Sequence, residues 1–114
     1  MLALTVETPI YLVAGATDMR KSFDGLSVIV SGRLEIDPRG GQLFVFCNAR
    51  HNRLKILQFD SSGVWVAAKR LEKGTFRWPE SRGRTITLSY EEMVMIVGGL
   101  DATSTRRRRW YGRG

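Results

Sequence analysis

From Leu43 to Trp78 apolar residues recur with a period of two, in short runs separated by brief polar connections, and this pattern constrains the fold more than any other. Period two is the signature of a strand whose side chains alternate between two faces. The runs are Leu43 to Cys47, Leu54 to Phe59, Val64 to Ala68 with an extension to Leu71 left open, and Thr75 to Trp78. Their connections are Asn48-Ala49-Arg50-His51-Asn52, Asp60-Ser61-Ser62-Gly63 and Glu72-Lys73-Gly74. All are too short for parallel neighbours, which need a crossover of about a dozen residues or more. An antiparallel meander is therefore predicted, with Gly63 available for a left-handed turn position. Alternation in the second run puts Leu54 and Ile56 on one face and Arg53, Lys55 and Leu57 on the other, so one sheet face is partly cationic.

Before the meander, Ile10 to Ala14 reads as a short buried strand between Pro9 and Gly15. A helix is predicted from about Asp18 to Leu34, with Thr17 or Asp18 capping its free N–H groups. Met19, Phe23, Leu26 and Val30 form its apolar stripe. Gly25 lies inside that helix at a cost of about 0.5–1 kcal/mol relative to Ala, so either another backbone passes close there, the favoured reading, or the helix bends. Asp37-Pro38-Arg39-Gly40-Gly41 is a turn. After the meander come a loop, a strand Thr85 to Leu88, and Ser89-Tyr90-Glu91-Glu92, a capping box that opens a second helix carrying Met93, Ile96, Val97 and Leu100. The expected fold class is α+β, an antiparallel β-meander sheet packed against two helices, with a short N-terminal strand. Residues 1–102 are expected to form a single domain and 103–114 a flexible basic tail.

Eighteen Lys and Arg against eleven Asp and Glu give a net charge of +7 and a pI near 10.3, which favours polyanionic partners. The excess is uneven. Residues 50–84 hold Arg50, Arg53, Lys55, Lys69, Arg70, Lys73, Arg77, Arg82 and Arg84 against Asp60, Glu72 and Glu80, and Arg106 to Gly114 hold five Arg and no acid. With Cys47 as its single cysteine the chain has no internal disulfide and no multi-cysteine zinc site. No signal peptide or membrane-spanning stretch is present, so a cytoplasmic protein is expected.

Catalytic candidates are few. Cys47 and His51 are a conceivable nucleophile and base, but fit better as a packed strand residue and an exposed loop residue. Asp18 and Asp24 as ligands of a nuclease metal would lie on different helical faces, and fit better as a cap and a surface partner of Lys21. No Gly-rich phosphate loop is found, and no cofactor or metal is expected. What remains is electrostatics and stacking. Lys69 to Pro79 interleaves bases with Phe76 and Trp78, which are either stacking platforms or core. Arg106, Arg107, Arg108 and Arg109, followed by Trp110 and Tyr111, read either as a phosphate-neutralising arm or as a solvated tail.

The ordered blocks Ile10-Tyr11-Leu12-Val13-Ala14-Gly15, Thr17-Asp18-Met19-Arg20, Phe23-Asp24-Gly25-Leu26, Leu43-Phe44-Val45-Phe46, Arg53-Leu54-Lys55-Ile56-Leu57, Lys69 to Pro79 and Gly99-Leu100-Asp101 resemble the TnpB-type accessory protein of the insertion-sequence-66 class of bacterial transposable elements. The resemblance spans Ile10 to Asp101 and departs from the family at Ala102, where Trp is common, and in the Arg106–Arg109 run. It implies a small protein that works beside a separate, larger transposase, which performs strand cleavage and joining. It supplies no catalytic residues to carry over.

Three functional expectations follow. The first is a non-enzymatic domain that binds transposon-end DNA, the transposase or both, through Arg50, Arg53, Lys55, Lys69, Arg70, Lys73 and Arg77, with Arg106 to Arg109 as an auxiliary arm. The second is a subunit that assembles or activates the transposase without touching DNA, with Asp18, Arg20, Lys21 and Asp24 as its recognition edge. The third, a metal-dependent nuclease using Asp18 and Asp24, ranks last.

Overall fold

The computed structural model describes residues 2–80 and 85–99. Five strands form one sheet: β1 (Ile10–Val13), β2 (Leu43–Cys47), β3 (Arg53–Phe59), β4 (Val64–Arg70) and β5 (Thr85–Leu88), in the spatial order β4-β3-β2-β1-β5. The meander holds for β2, β3 and β4, which pair antiparallel. It fails at the other end of the sheet, where β1 pairs parallel with β2 and antiparallel with β5. The sheet is therefore mixed. The long connection from β1 to β2 contains the first helix and is ample for a parallel crossover, an arrangement that counting short turns could not reveal.

All five residues of β2 are buried, because both sheet faces are covered there. On one face lie Val13, Phe44, Phe46 and Leu57 with Leu26, Ile29 and Val30 from the first helix. On the other lie Ile10, Leu12, Leu43, Val45, Leu54 and Ile56 with Phe76, Trp78 and Met93. Fully burying a side chain such as Phe44 contributes about 1.5–3 kcal/mol. Tyr11, opposite Phe44 in the ladder, stacks on it with ring centroids 5.5 Å apart. Gln58, the buried polar residue of β3, is satisfied by Ala3 and by the Gly41 carbonyl, and so ties the N-terminal segment to the sheet.

The first helix is shorter than its sequence pattern implies. Helix α1 spans Phe23–Val28 and continues as a π-helical turn over Ile29–Arg33, where Leu34 N donates to Ile29 O. Asp18 does not cap it. Its carboxylate instead accepts from Arg20 N at 2.9 Å, closing a local turn that keeps residues 18–21 out of the helix. With the start displaced, Leu26, Ile29 and Val30 face the core while Phe23 is exposed. What crowds Gly25 is not another backbone: a Cβ there would stand 3.0 Å from the Cβ and 3.1 Å from the Cγ of Lys21, four residues earlier in the chain.

Helix α2 (Tyr90–Val97) begins with the expected capping box, Glu92 N donating to Ser89 Oγ and Ser89 N to Glu92 Oε1. Two readings of the meander are corrected. The Asp60–Gly63 turn does not use a left-handed Gly63; Asp60 Oδ1 accepts from both Ser62 N and Gly63 N and Oδ2 from Trp65 Nε1. Thr75 to Trp78 joins no ladder among the described residues, and of the two readings its alternation left open for Phe76 and Trp78 the structure has the core one, both being buried. The predicted tail, including Arg106 to Arg109, lies outside the described residues.

Candidate functional site

The Asp60–Gly63 turn pairs Phe59 with Val64, and counting back along the ladder sets Arg53 opposite Arg70, Leu54 opposite Lys69 and Lys55 opposite Ala68. Residues directly opposite share a face, so Arg53, Lys55 and Arg70 project on the α1 side. There they line a cleft of about 410 Å³ with Met19, Leu54, Ala68, Lys69 and Glu72. A second hollow of about 350 Å³ shares Met19 and Arg53 with it and adds Asp18, Arg20, Asn48, Arg50 and Asn52. The structure thus joins residues that the sequence placed in two separate groups: Asp18 and Arg20 line one hollow with Arg50 and Arg53, and Arg53 also lines the cleft with Lys55 and Arg70.

These cations differ in what they already hold. Arg20 grips Asp18 through Nε and Nη2, the latter at 2.7 Å. That side-chain bond, together with the Arg20 backbone N–H, pulls the Asp18 carboxyl down to about 2. Lys55 Nζ donates to the Lys21 carbonyl at 2.7 Å, which links the residue 18–21 turn to the sheet. Arg70 has a loose contact with Glu72 at 3.8 Å. The guanidinium groups of Arg50 and Arg53 have no partner among the described residues. Two like charges directly opposite each other in a sheet are unfavourable, and among the described residues a single loosely held carboxylate stands against them.

The loop that carries Arg50 is held firmly. Asn48 Oδ1 accepts from Asn52 N and Arg53 N, and its Nδ2 donates to Asn52 Oδ1. His51 adopts φ +60°; its carbonyl accepts from Phe76 N at 2.6 Å and its Nε2 lies 2.7 Å from Glu80 Oε2. Trp78 Nε1 donates to the Val13 carbonyl, and Gly15 N to Pro79 O, so the 75–79 segment clamps this loop against the end of β1. Sequence reasoning passed over Asn48 and Glu80. The available signal was an Asn at a strand end, a residue type that bonds nearby backbone and fixes tight loops.

Other candidates are placed elsewhere. The ammonium of Lys69 donates to Val97 O at 2.8 Å, at the C-terminal end of α2, where a cation offsets the helix dipole. Lys73 and Arg77 are exposed but line neither hollow. Asp24 is exposed in the first turn of α1, also outside both, and Lys21 contributes its carbonyl. Phe76 and Trp78 are core residues, which removes them as stacking platforms. Cys47 is buried and burial pushes its thiol up to about 12, while the imidazole of His51 is paired with Glu80. No group of three or more His, Cys, Asp or Glu among the described residues is arranged to hold a metal. No helix among them is long and apolar enough to cross a membrane.

A small mixed α+β domain with a cationic cleft at one sheet edge is the class these features define. Residues 8–107 match the family described as "IS66 Orf2 like protein", and the chain belongs to it. Two curated relatives come from Sinorhizobium fredii, both named only as uncharacterized proteins. The protein y4hO is 34% identical over 92 residues, covering 81% of this chain and 80% of its own. The protein y4jC is 36% identical over 91 residues, covering 80% and 78%. No solved structure matches. The family is one of accessory proteins of insertion-sequence transposition and is not known as a catalytic one.

Proposed function

We propose that this chain is a non-catalytic accessory protein of transposition whose cationic cleft contacts the phosphodiester backbone at the ends of its element. One observation carries the reading: Arg53, whose guanidinium like that of Arg50 has no partner among the described residues, lines two adjoining hollows, one shared with Arg70 and the other with Arg50, where Asp18 is already engaged by Arg20. Phosphate oxygens satisfy such a cluster, and release of condensed counterions supplies affinity without reading bases. Lys55 and Lys69 add field but hold backbone carbonyls, so they rank below the arginines. Arg106 to Arg109 serve as an auxiliary arm outside the 1–102 domain, and Lys73 and Arg77 add diffuse charge.

Duplex DNA from the terminal inverted repeats, titrated across a salt series, tests this. Salt-dependent binding that weakens in Arg53→Glu and Arg70→Glu is expected. Binding that ignores salt and both reversals defeats the reading.

A second reading has its own support. The Asp18–Arg20 pair is exposed and bonded through both side chain and backbone on the wall of the second hollow, with Lys21 and Asp24 close in sequence, a suitable edge for recognition by the transposase of the same element. Co-purification that survives nuclease treatment and fails in Asp18→Ala is the expected result, and loss of the complex on nuclease addition counts against it.

A further inference from the structure

Strand β4 is one of the two outer strands of the sheet, opposite β5, and among the described residues it pairs with β3 alone. Its ladder runs residue for residue from Phe59↔Val64 to Arg53↔Arg70, with no bulge to twist the edge away from a partner. On the α1 side it presents Val64, Val66, Ala68 and Arg70 in succession. Phe23, 46% exposed at the start of α1, joins Val64, Trp65 and Val66 around a groove of about 450 Å³. Trp65 is 41% exposed and its indole is fixed by Asp60. One face of this edge is therefore apolar at one end and, past the small Ala68, doubly cationic at the other, where Arg70 stands opposite Arg53.

We infer that the β4 edge is a docking site for an extended segment of a partner protein, which adds antiparallel as a sixth strand. Alternation fixes its chemistry. A residue opposite Arg70 is acidic, and those four and six positions later, opposite Val66 and Val64, are apolar. Charge selects this occupant over two others. Residues 100–114 of the chain itself hold five Arg and one Asp, the wrong sign for the cationic end. A second copy of β4 pairing antiparallel about Ala67 sets Arg70 against Val64 and brings no carboxylate to either arginine. This site overlaps the DNA contact proposed above at Arg70 and extends from it along β4 to Val64.

The test uses the full chain and a heptapeptide with glutamate first, valine fifth and seventh and threonine between, followed by amide NMR. Shifts concentrated on Val64–Arg70, with inter-strand cross-peaks, are expected, and a scrambled peptide should produce neither. Arg70→Glu should weaken binding about tenfold, and a peptide with lysine first should restore it, a swap that a merely unfolded variant cannot give. Equal binding of the scrambled peptide, or an unchanged preference in Arg70→Glu, overturns the inference. So does perturbation of the Val64–Val66 amides by duplex DNA as strong as by the peptide, or by protein concentration alone. Peptide binding is read without DNA, so failure here and failure of the DNA contact are distinguishable.

Discussion

Arg53 and Arg70 face each other directly across the β3–β4 ladder, on the same side of the sheet. Cross-strand like charges destabilise by up to about 1 kcal/mol, so this pair marks a place where stability is given up for charge. Single replacements Arg53→Ala and Arg70→Ala should leave the fold intact or slightly more stable in urea. Each should also lower the slope of log K against log salt for DNA binding by about one. A measured slope identical to that of the unaltered chain would remove that arginine from the contact.

Asp18 and Arg20 form a second testable pair. The folded carboxyl value, about 2, lies below the ordinary 3.8, so the pairing is fully present above the ordinary value and is lost as pH falls toward 2. In a carbon-detected NMR titration Asp18 should be among the last carboxylates to protonate. In Arg20→Ala its midpoint should move up toward the ordinary value, and no movement would show that the Arg20 side chain does not hold it down.

Trp78 tests the clamp behind the Arg50 loop. Trp78→Ala removes a buried ring and the Val13 bond and should cost about 3–5 kcal/mol in chemical denaturation. Trp78→Phe keeps most of the packing and loses the hydrogen bond, at about 1 kcal/mol. A loss below 1 kcal/mol for the Ala variant would place this segment outside the core.

Cys47 should be inert in the native protein. It is buried and its thiol is pushed up to about 12, so a thiol reagent at pH 8 should label it only after denaturant is added. Rapid labelling of the folded chain would contradict both its burial and its place in the core.

Much of the fold was legible because local chemistry decided it. Ser89 and Glu92 cap α2 as their spacing requires, and the turns after Cys47 and Phe59 are too short for any pairing but antiparallel. Non-local competition decided the rest. Asp18 reads as a cap until its carboxylate is seen to serve Arg20, and Thr75 to Trp78 alternates as a strand does yet offers its backbone to the His51 loop. The parallel β1–β2 pair leaves no mark on either strand's own sequence.

At the cleft, residue types were readable and their convergence was not. Arg53 and Arg70 follow from counting outward from the Asp60 turn, but the approach of Asp18 and Arg20 depends on the crossover that swings them to the sheet. Lys69 shows the opposite failure: its charge contributes to the basic run, yet its ammonium is turned onto the chain's own helix.

The position of β1 has a consequence for how the molecule is made. Ile10 pairs with both Leu43 and Leu88, so β1 is made before either of its neighbours and waits for the second until β5 has been translated. The β2–β4 hairpins can form from local contacts in the meantime, whereas closing β1 onto β5 carries the largest loop entropy in the sheet. Chains interrupted before Thr85 would leave β1 as an open edge, ready to pair with other incomplete copies. The arginine cleft, built almost wholly from the earlier pieces, would be in place before the sheet that supports it is complete.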